Sequence, residues 1–490
     1  MTGIMSLSGK PLQGIARRGG WALLAAGLVG CASVPPAGSS VALPKAPAGW
    51  ANPVDGVVAP TVTATEPLNH WWATWGDEML SRLVESALQS NPDVARALAA
   101  VAQARAQREV ARAGLGPTVQ AGADVQRAQR GDASPGNTFR LGLDAAWEVD
   151  VWGRRAAALQ ASEADAAASE AEWAWARVTL AAEVASTYFE WWGARERLRL
   201  ARESVAAQEE SVQLTDWRVQ AGLASVLDAQ TARAALEQTR ASLPALEATA
   251  RQAQHALAVL TGQAPGTPLP GPAPDLPPAL RVPPVPVPAQ VLRQRPDVAA
   301  AEARLRAAYA RVQQADAARW PTLGLEGALS LSAPRVTELF DVAALTRSLA
   351  VSLAASVFDG GAARAEVQAR QAAAEQARAA LASALLGALR DVENALVALA
   401  ADRERLQRLD AAVAAAAEAE SLARQRYAAG LIDYRALLDA QRTLLALQTD
   451  RAAAQTAWAS DHVRLIKAVG GGWENAARVT EAAATTTATP

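Results

Sequence analysis

The sequence repeats itself, and that repetition limits the folds open to it more than any other feature. Asn91-Pro92-Asp93-Val94 opens a helix-like stretch that closes at Gly116-Pro117, ahead of an alternating, strand-like run. Arg295-Pro296-Asp297-Val298 opens a second such stretch, which closes at Trp320-Pro321. The Pro-Asp start and the closing proline both recur at an offset of 204 residues. Ala221-Gly222-Leu223 returns as Ala429-Gly430-Leu431, and Thr261-Gly262 as Val469-Gly470, both at an offset of 208. The spacing predicts one duplicated unit, with about four residues inserted between the strands of its second copy. Each copy reads as helix, strand pair, very long helix and return helix.

The strand-like runs have period two. Val119, Ala121, Ala123 and Val125 oppose Thr118, Gln120, Asp124 and Gln126; Phe139, Leu141, Leu143, Ala145, Trp147 and Val149 oppose Thr138, Arg140, Asp144, Glu148 and Asp150. In the second copy Leu323, Leu325, Leu329 and Leu331 oppose Thr322, Glu326 and Ser330, and Leu349, Val351, Leu353, Ala355 and Val357 oppose Ser348, Ser352 and Ser356. Runs of about ten alternating residues match outer-membrane barrel strands. Amphipathic strands over a soluble core are the other reading, but no further segment supplies such a core. In a bilayer an open sheet edge is forbidden, and about eight strands is the smallest closed barrel. Four strands must therefore be shared among chains. Asp124, Arg127, Arg140, Asp144, Glu148, Asp150 and Glu326 are expected on the lumen side, an acidic excess that leans towards cations.

From Arg154 to Gln220 there is no proline, and the only glycine is Gly193. At ~1.5 Å per residue a continuous helix there would reach about 100 Å. After Gly222 the chain turns back, with Leu236, Leu243, Ala250 and Leu257 at seven-residue spacing; after Gly430, Leu438, Leu445, Ala452, Ala459 and Ile466 repeat the pattern. These are thin, alanine-rich coiled-coil seams. Pro244 should kink or joint the first return helix. A coiled-coil spacer alone would not need strand hairpins at one end. Gly222-Leu223 and Gly430-Leu431 mark the tips, with Asp228, Asp433 and Asp439 close by.

Arg17-Arg18 and the apolar run Trp21 to Val29 form a leader, and Leu28-Val29-Gly30-Cys31 matches a lipobox. Cys31 is the only cysteine, so it carries the expected covalent lipid, no internal disulfide can form, and no other cofactor is expected. The alternative is an ordinary signal peptide with a chance cysteine. The boundaries expected are leader 1–30, lipidated extended tether 31–65, first repeat 66–262 with strands in 118–150, Pro-rich linker 263–290, second repeat 291–470 with strands in 321–358, and disordered tail 471–490. The linker holds eleven prolines. A net charge of −2 gives no case for nucleic acid, and His70, His255 and His462 show no metal or triad spacing, so an enzyme is not expected.

Further motifs run from end to end: Trp71-Trp72-Ala73-Thr74-Trp75-Gly76-Asp77, Ala87-Leu88-Gln89-Ser90-Asn91-Pro92-Asp93-Val94, Leu243-Pro244-Ala245-Leu246-Glu247, Ala256-Leu257-Ala258-Val259-Leu260-Thr261-Gly262, Val291-Leu292-Arg293-Gln294-Arg295-Pro296-Asp297-Val298 and Leu437-Leu438-Asp439-Ala440-Gln441. With them the sequence resembles the TolC-like outer-membrane efflux proteins, and within them the OprM-like or NodT-type lipoproteins. The resemblance implies a mainly α protein with a membrane β-barrel: a homotrimer with a shared 12-stranded barrel above a 12-helix periplasmic tunnel. It further implies an exit duct of a tripartite efflux system, anchored in the outer membrane by lipid, whose tips dock on a periplasmic adaptor linked to an inner-membrane pump, of RND type. Position by position, Asp228 and Tyr427 occupy the places of a gate-closing inter-hairpin pair, and Asp439 that of an aspartate ring. Ala436 and Ile432 depart from the pattern, standing where TolC has a further ring aspartate and a latch arginine. Type I protein secretion and a periplasmic adaptor are the competing functions. An adaptor would lack the duplication and the four strands.

Overall fold

The structure is a computed structural model that describes residues 42–53, 68–129, 131–132, 134–271, 285 and 288–471. The leader, Cys31, most of the Pro-rich linker and the tail from 472 lie outside the described residues.

Helix α1 (Glu78–Ser90) is followed by α2 (Pro92–Ala113), strands β1 (Thr118–Ala128) and β2 (Gly136–Val149), the long α3 (Arg154–Gln220) and the returning α4 (Val226–Leu260). Then come α5 (Pro288–Gln294), α6 (Pro296–Ala317), β3 (Thr322–Ala333), β4 (Leu345–Ala354), α7 (Ala362–Ala428) and α8 (Tyr434–Ala468). Lengths pair off: α2 and α6 have 22 residues each, α3 and α7 67, α4 and α8 35. No described helix is long and apolar enough to cross a membrane.

The four strands form one antiparallel sheet in the order β1-β2-β3-β4. Alternation therefore does more than build two hairpins, because β2 also pairs with β3, placing Leu141 opposite Leu331 and Trp147 opposite Leu325. The two hairpins share one register: Thr118 faces Ala146, and Thr322 faces Ala354. One face carries the apolar row, and the other carries Asp124 opposite Arg140, and Ala146 opposite Glu326. The run expected to continue to Val357 stops at Ala354, because the next residue before Thr322 is Pro321, which has no N–H for the ladder.

Both long helices start in the same way. Gly153 and Gly361 take left-handed backbones with φ of 76° and 90°, a conformation that costs glycine little. Asp150 then accepts the amides of Arg155 and Ala156 (3.0 and 2.8 Å), and Asp359 those of Gly361 and Ala363 (2.8 and 2.9 Å). Those amide bonds hold the exposed Asp359 carboxyl below the ordinary aspartate range. Asp150 is thus a helix cap and not a lumen charge. Arg127 is also misplaced by the sequence reading: its parity in β1 follows Val119 and Val125, so it belongs to the apolar face.

The Pro-Asp motifs anchor the return helices. Asn91 caps α2 through the amide of Asp93 at 2.8 Å, and its Nδ2 donates to the Leu260 carbonyl at the end of α4, 3.0 Å away. Arg295 does the same in the second copy, donating to the Ala468 carbonyl at 3.0 Å while pairing with Asp297 at 2.7 Å. Pro244 lies inside an uninterrupted α4. The expected joint is absent because α4 is held to α3 on both sides of it, by Arg240–Glu209 and Arg202–Glu247, each at 2.6 Å, and by the buried Leu236, Ala250 and Leu257.

Midway along α3 lies the main hydrophobic core. Trp71, Trp72, Trp75, Leu80 and Val84 pack on Val184, Tyr188, Phe189 and Trp191, together with Leu257, Ala459 and Val463 from the return helices. The Tyr188 hydroxyl donates to Asp77 at 2.6 Å, and the other oxygen of Asp77 caps α1. Residues 42–53, expected as free tether, are partly docked: Trp50 is buried against Val392, Leu396 and Leu465, and Glu393 accepts the Ala51 amide at 2.6 Å. Gly193 is where α3 passes α8 at close range, since a Cβ there would lie 2.1 Å from Thr456 Oγ1. Gly193→Ala should therefore destabilise the protein by about 1–3 kcal/mol, and a second change, Thr456→Ala, should recover most of the loss. Thermal unfolding in detergent checks both, and an unaltered midpoint for Gly193→Ala would contradict this close approach.

Candidate functional site

The end of the helix hairpins farthest from the sheet carries the residues singled out as a gate. Both turns are built alike. The Leu223 amide donates to the Arg218 carbonyl at 2.7 Å and that of Gly222 to Val219 at 2.9 Å; Leu431 and Gly430 repeat the pair on Arg426 and Tyr427, both at 2.9 Å. This C-cap arrangement needs a left-handed residue, supplied by Gly222 (φ 73°) and Gly430 (φ 75°). Leu223, Val226, Leu227 and Leu431 stand exposed around the turns.

Asp228 and Tyr427 do not meet within the chain. Asp228 is the third residue of α4 and closes a capping box with Ser225, its carboxylate accepting the Ser225 amide at 3.1 Å and hydroxyl at 2.8 Å. Within the chain this carboxylate is engaged with its own helix start. Tyr427, buried at 2% exposure, instead meets Thr215 of α3, hydroxyl to hydroxyl at 2.7 Å. Arg218 donates to the Tyr427 carbonyl and sets its guanidinium 4.7 Å from the tyrosine ring centroid. Asp439 is exposed, and Asp433 caps α8 through the Ala436 amide at 3.0 Å.

Thr215 and Arg218 are therefore residues that motif matching missed. They sit in a buried polar seam between the hairpins that continues through Ser211, Gln441 and Gln208, with Gln441 Nε2 donating to Ser211 Oγ at 3.1 Å. The seam is incompletely satisfied: Gln208 Oε1, Gln441 Oε1, Arg218 Nε and the Tyr434 hydroxyl are buried without partners among the described residues. Burial, then the nearby Tyr427, pushes Tyr434 up to about 12, so it stays neutral. Buried unpaired polar atoms cost about 1–3 kcal/mol each, which makes this contact easier to separate than an apolar seam would be. Ile432 packs against the same cluster, Tyr427, Tyr434, Leu437 and Leu438. The signal available in sequence was Thr215 itself, polar on the buried side of a coiled-coil helix.

On the polar face of the sheet, Arg140 pairs with Asp144 at 2.7 Å, and Arg154 and Arg155 hold Glu148 at 2.6 and 3.0 Å. The acidic excess is smaller than a residue count implies, leaving Asp124 and Glu326 without ion pairs among the described residues.

With this geometry in view, comparison with known proteins is decisive. The family model described as outer membrane efflux protein matches residues 83–263 and 287–471. The chain belongs to the outer membrane efflux protein family. It is 34% identical over 472 residues to the pyoverdine export outer membrane protein OpmQ of Pseudomonas putida, covering 92% of this chain and 96% of that one. To the outer membrane protein OprJ of Pseudomonas aeruginosa it is 32% identical, covering 95% and 97%. The solved outer-membrane channel OprN superposes with a TM-score of 0.81 at 33% identity, covering 88% of this chain and 98% of that one. The protein is an outer-membrane channel, the exit duct of a tripartite efflux system, and its family consists of channels rather than enzymes.

One carboxyl outside the tip, that of Asp402, titrates unusually. Burial, and next the hydrogen bond to Asp461, raise Asp402 above the ordinary aspartate range. The folded state thus holds this proton more tightly than the unfolded chain. Its stabilisation is complete below the ordinary aspartate range and is lost as pH rises through the raised value. Burial lowers the neighbouring His462, whose contribution instead disappears as pH falls. Asp402→Asn should therefore remove the loss on the alkaline side of the aspartate range and leave the histidine limb unchanged. Melting temperatures from pH 4 to 8 check it, and superimposable profiles would contradict the raised Asp402 carboxyl.

Proposed function

We propose that three copies of this chain close a 12-stranded barrel above a 12-helix tunnel, and that efflux substrates leave through it. The observation that carries this reading is a pair of missing neighbours. Within the chain β1 and β4 each keep one unpaired edge, and a lipid-facing sheet cannot leave them so. The same holds for the helices: α6 packs on both α3 and α7, whereas its counterpart α2 packs chiefly on α3, with Leu98 and Val110 exposed. A neighbouring copy supplying α7 to α2, and β4 to β1, would satisfy both at once. The equal helix lengths and the common hairpin register support the duplication on which this rests.

That register supports one particular closure. β1 maps onto β3 at an offset of 204 and β2 onto β4 at 208, so Leu143 opposite Leu329 becomes Val351 opposite Val125 of the next copy. Val125→Cys with Val351→Cys, in a Cys31→Ser background, should give covalent trimers on oxidation; Asp124→Cys with Val351→Cys, one residue out of register, should not. Monomers from both pairs would overturn the closure.

In this reading Cys31 carries the lipid, Gly222-Leu223 and Gly430-Leu431 present the exposed leucines to a periplasmic adaptor, and an inner-membrane pump of RND type supplies the substrate. The periplasmic end is held by the Tyr427–Thr215 contact and Arg218, with Asp439 facing the aperture and Asp228 serving the turn. Tyr427→Phe with Thr215→Val replaces both hydroxyls by near-isosteric apolar groups, so fold stability should change by less than about 1 kcal/mol. Single-channel conductance should nonetheless rise, while Asp228→Ala should not raise it. Wild-type conductance in the Tyr427/Thr215 variant would place the latch elsewhere.

A further inference from the structure

Two arginines sit on the wrong face of the sheet. Alternation sends every other charged strand residue to the polar side, where Arg140 finds Asp144 at 2.7 Å. Arg127 and Arg347 instead share parity with the apolar row: Arg347 faces Leu329 across the β3–β4 ladder, and Arg127 follows Val125 along β1. Both are exposed, and neither has an ion pair or side-chain hydrogen bond among the described residues. Both lie toward the loop end of the sheet, Arg127 next to last in β1 and Arg347 third in β4, away from the ends that join the helices. In an outer-membrane channel whose helices extend into the periplasm, that end is the outer-leaflet end.

A lipid-facing arginine costs about 2–4 kcal/mol at mid-bilayer and about 0–1 kcal/mol near an interface. Its long stem lets the guanidinium reach the headgroup layer from an apolar wall. The closure register proposed above, on which this inference rests, brings the two together. Arg127 of one copy falls opposite Leu349 of the next, so Arg127 and Arg347 are diagonal neighbours on one face, roughly 7–8 Å apart across the seam. Two guanidinium groups at that separation repel unless an anion lies between them. A phosphate accepts two forked charge-assisted contacts and converts the repulsion into a bridge.

We propose that Arg127 and Arg347 form, at each of the three subunit seams, a binding site for the phosphate of an outer-leaflet glycolipid. The lipid chains would lie along the apolar row of β4 and β1, with Leu349, Val351 and Val125 exposed there. The bound lipid would cover the seam at the loop end, where strand pairing between copies finishes.

The test is native mass spectrometry of the full-length channel in mild detergent, titrated with bisphosphorylated lipid A, its dephosphorylated form, or inorganic phosphate. Wild-type trimers should retain up to three lipid A molecules. Arg127→Gln with Arg347→Gln should weaken retention by about tenfold or more, on the order of one kcal/mol per lost cation. Dephosphorylated lipid A should bind wild type and variant alike, and inorganic phosphate should not displace lipid A at comparable concentration. Arg335→Gln, a loop arginine paired with Glu338 at 3.4 Å, should have no effect. Trimers that retain lipid A equally well with and without the two arginines would overturn the site and leave the closed barrel standing. Displacement by inorganic phosphate alone would also overturn it, by showing an anion site that is not lipid-specific. Only monomers would overturn the barrel closure, and the site with it.

Discussion

Backbone hydrogen bonding at the two ends of a four-stranded sheet governs this molecule. Inside the sheet every strand has its ladder, and the apolar row can face lipid without leaving peptide groups bare. At the outer edges of β1 and β4 there is no partner in the chain. Hydrocarbon offers no water to such groups, so in the proposed barrel these edges are the ones a further copy would cover. The helices carry a matching feature: α2, which leads into β1, packs chiefly on α3 with Leu98 and Val110 exposed, and α7, which follows β4, leaves Leu386 and Val397 exposed.

Helices this long need holding because alanine seams bury little apolar area per residue. Stability is concentrated at the tryptophan-rich centre, where α1, α3 and the ends of both return helices converge. Asn91 and Arg295 tie those ends down through the Leu260 and Ala468 carbonyls, so each hairpin is fixed at the end of its return helix, mid-way along the long helix. The tip lies beyond that fixation. Its contacts are polar and, among the described residues, partly unsatisfied, which suits the opening proposed for it. The arginines of the sheet divide by face: Arg140 on the polar face pairs with Asp144, whereas Arg127 and Arg347 on the apolar face have no ion pair among the described residues.

Much of this was legible in the residues. Period two gave the strands and their faces, glycine gave the turns, and the absence of helix breakers gave the two 67-residue helices. The misreadings share one cause, which is that a local pattern does not say what lies alongside. Pro244 reads as a joint until α3 is seen clamping both sides of it. Asp150 reads as a lumen charge until it is seen capping α3. The capping box that Asp228 closes with Ser225 was likewise not read from the motif match.

Sequence by itself determined the element types, their lengths and the directions of the chain, because these depend on periodicity and on backbone freedom at a few glycines and prolines. It also determined family membership, through motifs spread along both copies. Only the tertiary structure decided that β2 joins β3, that Gly193 passes Thr456 at contact distance, and that Tyr427 reaches Thr215 across 212 positions of chain. Those pairings are set by how two long hairpins lie against each other. A rotation of either helix by a fraction of a turn would choose other partners from the same alanine-rich faces, and nothing in the local pattern distinguishes them.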